Sequence, residues 1–149
     1  LRYLNQSDLE FLYDIENDET LWKFGSEKQY LSKKSLSEYI ENSKLDIDIN
    51  QQSRFVIDLK QTPIGIIDLY RYNGKSVGIG ILIKKKYRRN GFAKESIVLI
   101  KDYCFKTLKL QELFCVIAAD NLKSIKLFTS IGFKEKSEFK KLKHFNLKS

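Results

Sequence analysis

Apolar positions change their period along this chain, dividing it into a helical start, a strand-rich middle and an alternation of both at the end. Residues 1–4 read as a short strand. Ser7-Asp8-Leu9-Glu10 has capping-box spacing and Phe11, Leu12 and Ile15 follow on one face, so a helix begins near Asp8. A second helical piece is expected over residues 20–24, stopped by Gly25. Ser35-Leu36-Ser37-Glu38 repeats the capping spacing and opens a third helix over residues 36–43. The polar residues 46–52 read as a loop. Three strands then follow at residues 54–59, 64–72 and 75–83, separated by a turn at 60–63 and by Asn73-Gly74, a strong two-residue hairpin signal. Ala93, Ile97, Ile100, Cys104 and Leu108 recur at steps of three and four, which predicts a helix over residues 94–108. A strand is expected at 112–118. Asp120-Asn121 caps a short helix carrying Ile125, Leu127 and Phe128, which ends at Ile131-Gly132, where glycine suits the left-handed position. Phe133 opens a last strand or hairpin. The pattern describes one α+β domain over residues 1–149, with a mainly antiparallel sheet and helices on both faces.

Length and composition agree: 149 residues, 42% hydrophobic and 31% charged, can bury the core of a soluble globular domain. No apolar run approaches the roughly 18 residues that cross a bilayer, and the start lacks the pattern of a signal peptide. The chain begins at Leu1 and contains no Met, so a true start upstream is expected. Cys104 and Cys115 sit among apolar residues, as two buried free thiols of a cytoplasmic protein would. A single histidine, His144, and the absence of metal-ligand spacing argue against a zinc site and against a histidine-activated nucleophile. The net charge of +8 is uneven: residues 1–50 hold 11 acids and 6 bases, and residues 51–149 hold 8 acids and 21 bases. The basic part can meet a polyphosphate and the acidic part a cation.

The chemistry concentrates at Arg88-Arg89-Asn90-Gly91-Phe92-Ala93, between the apolar run 77–83 and the helix that begins near Lys94. A basic loop containing glycine, leading into a helix, cradles anions: the backbone approaches closely, and the first helical turn offers unpaired N–H groups and a positive dipole end. The loop lacks the Lys-Ser/Thr pair of a nucleotide P-loop and the full G-x-G-x-x-G of a dinucleotide fold. Its partner segment is Asn121-Leu-Lys-Ser-Ile-Lys-Leu-Phe-Thr-Ser-Ile-Gly-Phe133.

Together these segments resemble the GCN5-related N-acetyltransferase superfamily. Arg88-x-x-Gly91-x-Ala93 is similar to that family's acetyl-CoA motif, and Asn121-x-x-Ser124 through Ile131-Gly132-Phe133 to its next motif. The resemblance runs from Leu1 to about Phe139 and is greatest to the branch of ribosomal-protein N-terminal and spermidine acetyltransferases, of which Tyr103-Cys-Phe before Leu110 is also typical. It implies a mixed, mainly antiparallel sheet flanked by helices. It also implies acetyl transfer from acetyl-CoA to a primary amine by direct attack, with no metal. Backbone groups of Arg89, Asn90, Gly91, Phe92 and Ala93 would hold the pyrophosphate, with charge from Arg88, Arg89 and Lys94. Lys84, Lys85 and Lys86 would flank the 3′-phosphate. Ile81, Leu82 and Ile83 would pair with the pantetheine arm, and a backbone N–H there would stabilise the oxyanion. Asn121 would reach the pantetheine, with Ser124 and Phe128 beside it. Many members pair as dimers, which makes a homodimer a possible assembly here.

Two departures bear on catalysis. Phe128 stands where many relatives carry a proton-donating tyrosine, and Gly78 where many in this branch carry an acid. Asp68 is then the nearest carboxylate candidate for a base, and Ser124 a candidate proton donor. Tyr70, Tyr72 and Tyr87 are further hydroxyls, read as packing groups. The N-terminal acids Asp14, Glu16, Asp18, Glu19, Glu38 and Glu41 suggest a cationic acceptor, such as a protein N-terminus, a polyamine or a small amine, with Trp22 and Phe24 near its entrance. An acetyl-CoA-binding module with little or no catalysis remains open. A nucleic-acid-binding domain is the weaker alternative, because a cofactor phosphate explains the basic loop better than DNA or RNA does.

Overall fold

The computed structural model describes residues 1–20 and 30–149. The expected helical piece at 20–24 therefore lies outside the described residues, Thr20 apart, as do Trp22 and Phe24. In chain order the elements are β1 (Arg2–Tyr3), α1 (Leu9–Glu16), α2 (Lys33–Asn42), α3 (Ile47–Asn50), β2 (Ser53–Leu59), β3 (Thr62–Tyr70), β4 (Ser76–Ile83), α4 (Phe92–Asp102), β5 (Glu112–Ala118), α5 (Leu122–Ile131), β6 (Lys134–Phe139) and β7 (Leu142–Lys148).

The strands form one sheet in the order β1-β2-β3-β4-β5-β7-β6. Every pairing is antiparallel except that of β4 with β5. The final hairpin inserts β7 beside β5 and leaves β6, exposed along its whole length, at the edge. Helices cover both faces. On one, α4, its continuation and α5 bury Ile97, Ile100, Cys104 and Phe128 against Phe55, Ile67, Leu69, Ile79, Leu113 and Phe145. On the other, α1 and α2 bury Phe11, Leu12, Ile15, Leu36 and Ile40 against Val56 and Ile66. Strand alternation explains the division: Ile67 and Leu69 point to the α4 face, whereas Ile66, Asp68 and Tyr70 point to the other.

Local structure departs from the pattern mainly in the bounds of its chain reversals. The turn expected at 60–63 is Lys60-Gln61, both left-handed with φ of 49° and 70°; Thr62 and Pro63 already belong to β3. β3 ends at Tyr70 because Arg71 is left-handed (φ 52°). Asn73-Gly74 consequently lies in a longer loop than a two-residue hairpin, and the Asn73 side chain accepts from Lys75 N (2.9 Å) and Ser76 N (2.7 Å). The expected loop at 46–52 contains α3, opened by the Asp46 side chain and anchored by buried Ile47. The helix expected over 94–108 starts at Phe92, and after Asp102 it widens into a π-helical turn, Tyr103–Thr107.

Candidate active site

The parallel pairing of β4 with β5 is short. Ser76 faces Glu112, Val77 faces Leu113 and Gly78 faces Phe114; beyond them the strands part, among the described residues. β4 continues to Ile83, paired only with β3 (Ile67↔Ile81, Ile66↔Leu82, Gly65↔Ile83). β5 continues to Ala118, paired with β7. Alternate N–H and C=O groups of an antiparallel strand point away from its partner, so the outer edge of Ile79–Ile83 opens into the fork. Ile81, Leu82 and Ile83 thus lie on an open edge, their side chains packed into the two cores.

The basic loop lies just past the end of that edge. Arg88 Nε donates to Ile83 O at 2.9 Å, which ties the loop to the strand. Asn90 Nδ2 donates to Tyr87 O (3.3 Å) and Arg88 O (3.0 Å), folding the loop on itself. Arg89 and Gly91 are left-handed at φ 62° and 81°. A Cβ on Gly91 would meet nothing within 4 Å, so the glycine is there for its backbone angle. The first helical bond is Glu95 N to Gly91 O, and no acceptor among the described residues takes the N–H groups of Arg89, Asn90, Gly91, Phe92, Ala93 or Lys94. An eleven-residue helix with its N-terminal donors unbonded, flanked by exposed Arg89 and Lys94, has backbone geometry and charge that suit a phosphate. Lys84 is turned elsewhere, its Nζ 4.9 Å from the Phe11 ring centre.

Across the fork, Asn121 caps α5: its side chain accepts from Ser124 N at 3.3 Å. Phe128 is 3% exposed and stands edge-on to Phe133 at 5.2 Å. The second motif therefore supplies a helix start and core packing beside the fork, with no hydroxyl at position 128.

The α1/α2 face of the fork carries a charged cluster. Arg54 on β2 faces Asp68 on β3 and meets both of its oxygens, Nη2–Oδ2 being 2.9 Å. Its third nitrogen bonds Glu16 at the end of α1, and its guanidinium lies 5.3 Å from the Tyr39 ring centre. Burial disfavours the charge, but Asp68 and Glu16 outweigh it and raise the Arg54 pKa above the usual arginine range. Asp68, the carboxylate expected as a base, is held on both oxygens by the Arg54 guanidinium, the arrangement of a counter-ion. Three of the other N-terminal acids are also engaged. Glu41 meets Lys44 and Gln6, Glu19 meets Tyr30, and Asp18 caps Thr20.

Tyr70 lies at the vertex of the fork, opposite Gly78 in register. A Cβ on Gly78 would come within 2.5 Å of the Tyr70 ring and 2.8 Å of Phe114, so the missing side chain makes room for the tyrosine. The ring stands edge-on to Phe114 at 5.6 Å, and its hydroxyl lies beside the Val116 N–H on β5. Burial pushes its pKa up to about 12. Sequence reasoning missed the Arg54–Asp68 pair and the Tyr70–Gly78 fit because both depend on cross-strand register. Among the described residues, no group of three His, Cys, Asp or Glu could hold a metal ion, and no helix is long and apolar enough to cross a membrane.

Comparisons with known proteins follow the same geometry. The family described as an acetyltransferase (GNAT) domain matches residues 1–134. A spermidine N(1)-acetyltransferase of Vibrio cholerae is 30% identical over 138 residues, covering 91% of this chain and 78% of that protein. One of Escherichia coli K12 is 27% identical over 143 residues, covering 93% and 74%. The crystal structure of the Vibrio cholerae spermidine N-acetyltransferase in complex with CoA and spermine superposes with a TM-score of 0.88 at 27% identity, covering 99% of this chain and 93% of that one. A dodecameric form of that enzyme has a TM-score of 0.81 at 27% identity, covering 99% and 91%.

Proposed function

The chain belongs to the acetyltransferase (GNAT) domain family, and on that premise we propose that it moves the acetyl group of acetyl-CoA directly onto a primary amine of a polyamine. One observation carries the reading: the unbonded N–H groups of residues 89–94 begin where the open edge of β4 ends. A ligand with a pyrophosphate at one end and an extended amide arm at the other matches that continuity. The loop N–H groups and Arg89 and Lys94 take the pyrophosphate. Ile81, Leu82 and Ile83 offer backbone partners to the arm, and Asn121 and Ser124 border it from α5. Phe128 supports this wall from the core.

In the transfer, the amine lone pair attacks the thioester carbonyl carbon. A C–N bond forms, the C–S bond breaks, and the proton lost by nitrogen ends on sulphur. In this reading a backbone N–H of the β4 edge stabilises the oxyanion. An alkylammonium with a pKa of about 10.4 must first lose a proton, which a water chain can carry. The polyamine assignment is supported by the relatives' acceptors and by the acidic α1, which carries Glu10, Asp14 and Glu16 and no base. We place the protein in the cytoplasm, which its two buried free thiols support, and take it as a single domain. We further propose that copies associate, at least as a homodimer, as the dodecameric relative suggests. The test is CoA release from acetyl-CoA across spermidine, spermine, a peptide N-terminus and an amino sugar. Turnover is expected with the polyamines; turnover confined to the peptide or the amino sugar overturns the assignment.

A further inference from the structure

We infer that Tyr70 is the hydroxyl of the transfer site, relaying the proton from the attacking amine to the departing sulphur. The inference rests on the acetyltransferase reading and adds a catalytic residue to it. Three observations converge. Phe128 is an apolar core residue, Gly78 has no side chain, and Asp68 is committed to Arg54, so these three positions offer no free acid or base. The ring of Tyr70 fills the space above Gly78, with Gly80 beside it, and crosses from β3 to β5 at the point where the β4–β5 pairing ends. Its oxygen lies beside the N–H of Val116, on the inner wall of the fork, which leaves its own proton available to a ligand there. Tyr70 and Gly78 therefore fit as a pair: the position that lacks an acid is the position over which a hydroxyl is laid.

The step balances without a tyrosinate. As the tetrahedral intermediate collapses, the ammonium N–H bond breaks and a new bond forms to the Tyr70 oxygen. The Tyr70 O–H bond breaks and an S–H bond forms as C–S cleaves. Tyrosine begins and ends protonated, which suits a buried hydroxyl held well above its ordinary pKa. Groups near Tyr70 include Asp68, Arg71 and Cys115; Asp68 is neutralised by Arg54, and the Cys115 thiol is buried with its pKa pushed up to about 12, so neither competes for the proton.

The experiment compares wild type, Tyr70→Phe, Gly78→Ala and Ser124→Ala. It measures kcat and KM for acetyl-CoA and spermidine, the solvent deuterium isotope effect on kcat, and acetyl-CoA affinity by calorimetry. Tyr70→Phe keeps the ring, and should lower kcat on the order of 10²-fold, leave acetyl-CoA affinity within about 2-fold, and abolish the isotope effect. Gly78→Ala retains the hydroxyl but displaces the ring, and should lower kcat in the same direction. Ser124→Ala should keep the isotope effect. A Tyr70→Phe enzyme with wild-type kcat and isotope effect overturns the inference while leaving the acetyltransferase reading intact, as does loss of the isotope effect in Ser124→Ala alone. A wild type without turnover on any amine overturns both.

Discussion

Replacing Arg54 with methionine removes a cation that Asp68 and Glu16 share. The Arg54 side chain is 16% exposed, and its partners are 29% and 23% exposed, so the cluster is largely but not fully shielded from water. Deleting one partner of a buried ion pair costs about 3–5 kcal/mol because the remaining charge is left uncompensated. Partial solvent access here favours the lower end, about 3 kcal/mol. For a domain of this size each kcal/mol shifts Tm by roughly 2–4 °C, so a drop of about 6–12 °C is expected at pH 7. A second substitution, Asp68→Leu, should recover a large part of it at pH 7, since an apolar replacement of a buried pair is often neutral. Thermal unfolding by circular dichroism at pH 7 is the assay. A single variant within about 1 kcal/mol of wild type would refute the reasoning.

Other substitutions test separate parts of the fold. Gly65→Ala puts a Cβ 2.4 Å from the Leu82 carbonyl oxygen, a backbone atom that cannot step aside; it should destabilise by about 3 kcal/mol and lower the denaturation midpoint in urea. Asp8 is buried, which alone raises its pKa, but hydrogen bonds from Arg2 and the Asn5 backbone outweigh that and hold it below its ordinary value. A lowered folded-state pKa contributes stability above the unfolded value of about 3.9 that is lost as pH falls through the folded value. Asp8→Asn should therefore be less stable than wild type at pH 6, with the gap closing in strong acid, read as the difference in unfolding midpoints against pH. Cys104 and Cys115 are buried and their thiol pKa values are pushed up to about 12 by burial, so a chromogenic disulfide reagent should react only after denaturation; rapid labelling of the native protein would contradict the packing.

The elements most legible in the sequence were those with one or two buried faces. β5 was expected at its observed ends, and β2, β3 and β4 within one or two residues, because apolar positions such as Phe55, Ile67 and Ile79 must face a core. The turn at Lys60-Gln61 was expected, though two residues longer, whereas the reversal at Arg71 was not, since no glycine or asparagine announces its left-handed backbone. Asn73 gave a turn signal, but its side chain serves as an acceptor inside a longer loop. The basic loop and the helix start after it could be read directly because both are encoded in contiguous residues. The catalytic face could not. Whether Asp68 is a free carboxylate depends on Arg54 lying opposite it across two strands, and whether Tyr70 packs or reacts depends on Gly78 being its neighbour. Those facts belong to sheet register, which a single strand does not reveal.

The central claim is that the fork and its loop hold acetyl-CoA so that a polyamine nitrogen takes the acetyl group directly. The measurement that tests it most directly is product stoichiometry: purified protein, acetyl-CoA and spermidine, with CoA release and acetylated amine quantified together by mass spectrometry. The account predicts equal amounts of CoA and singly acetylated spermidine, with release falling to background when spermidine is omitted. CoA released at the same rate without the amine, or no acetylated amine despite saturating acetyl-CoA, would contradict it.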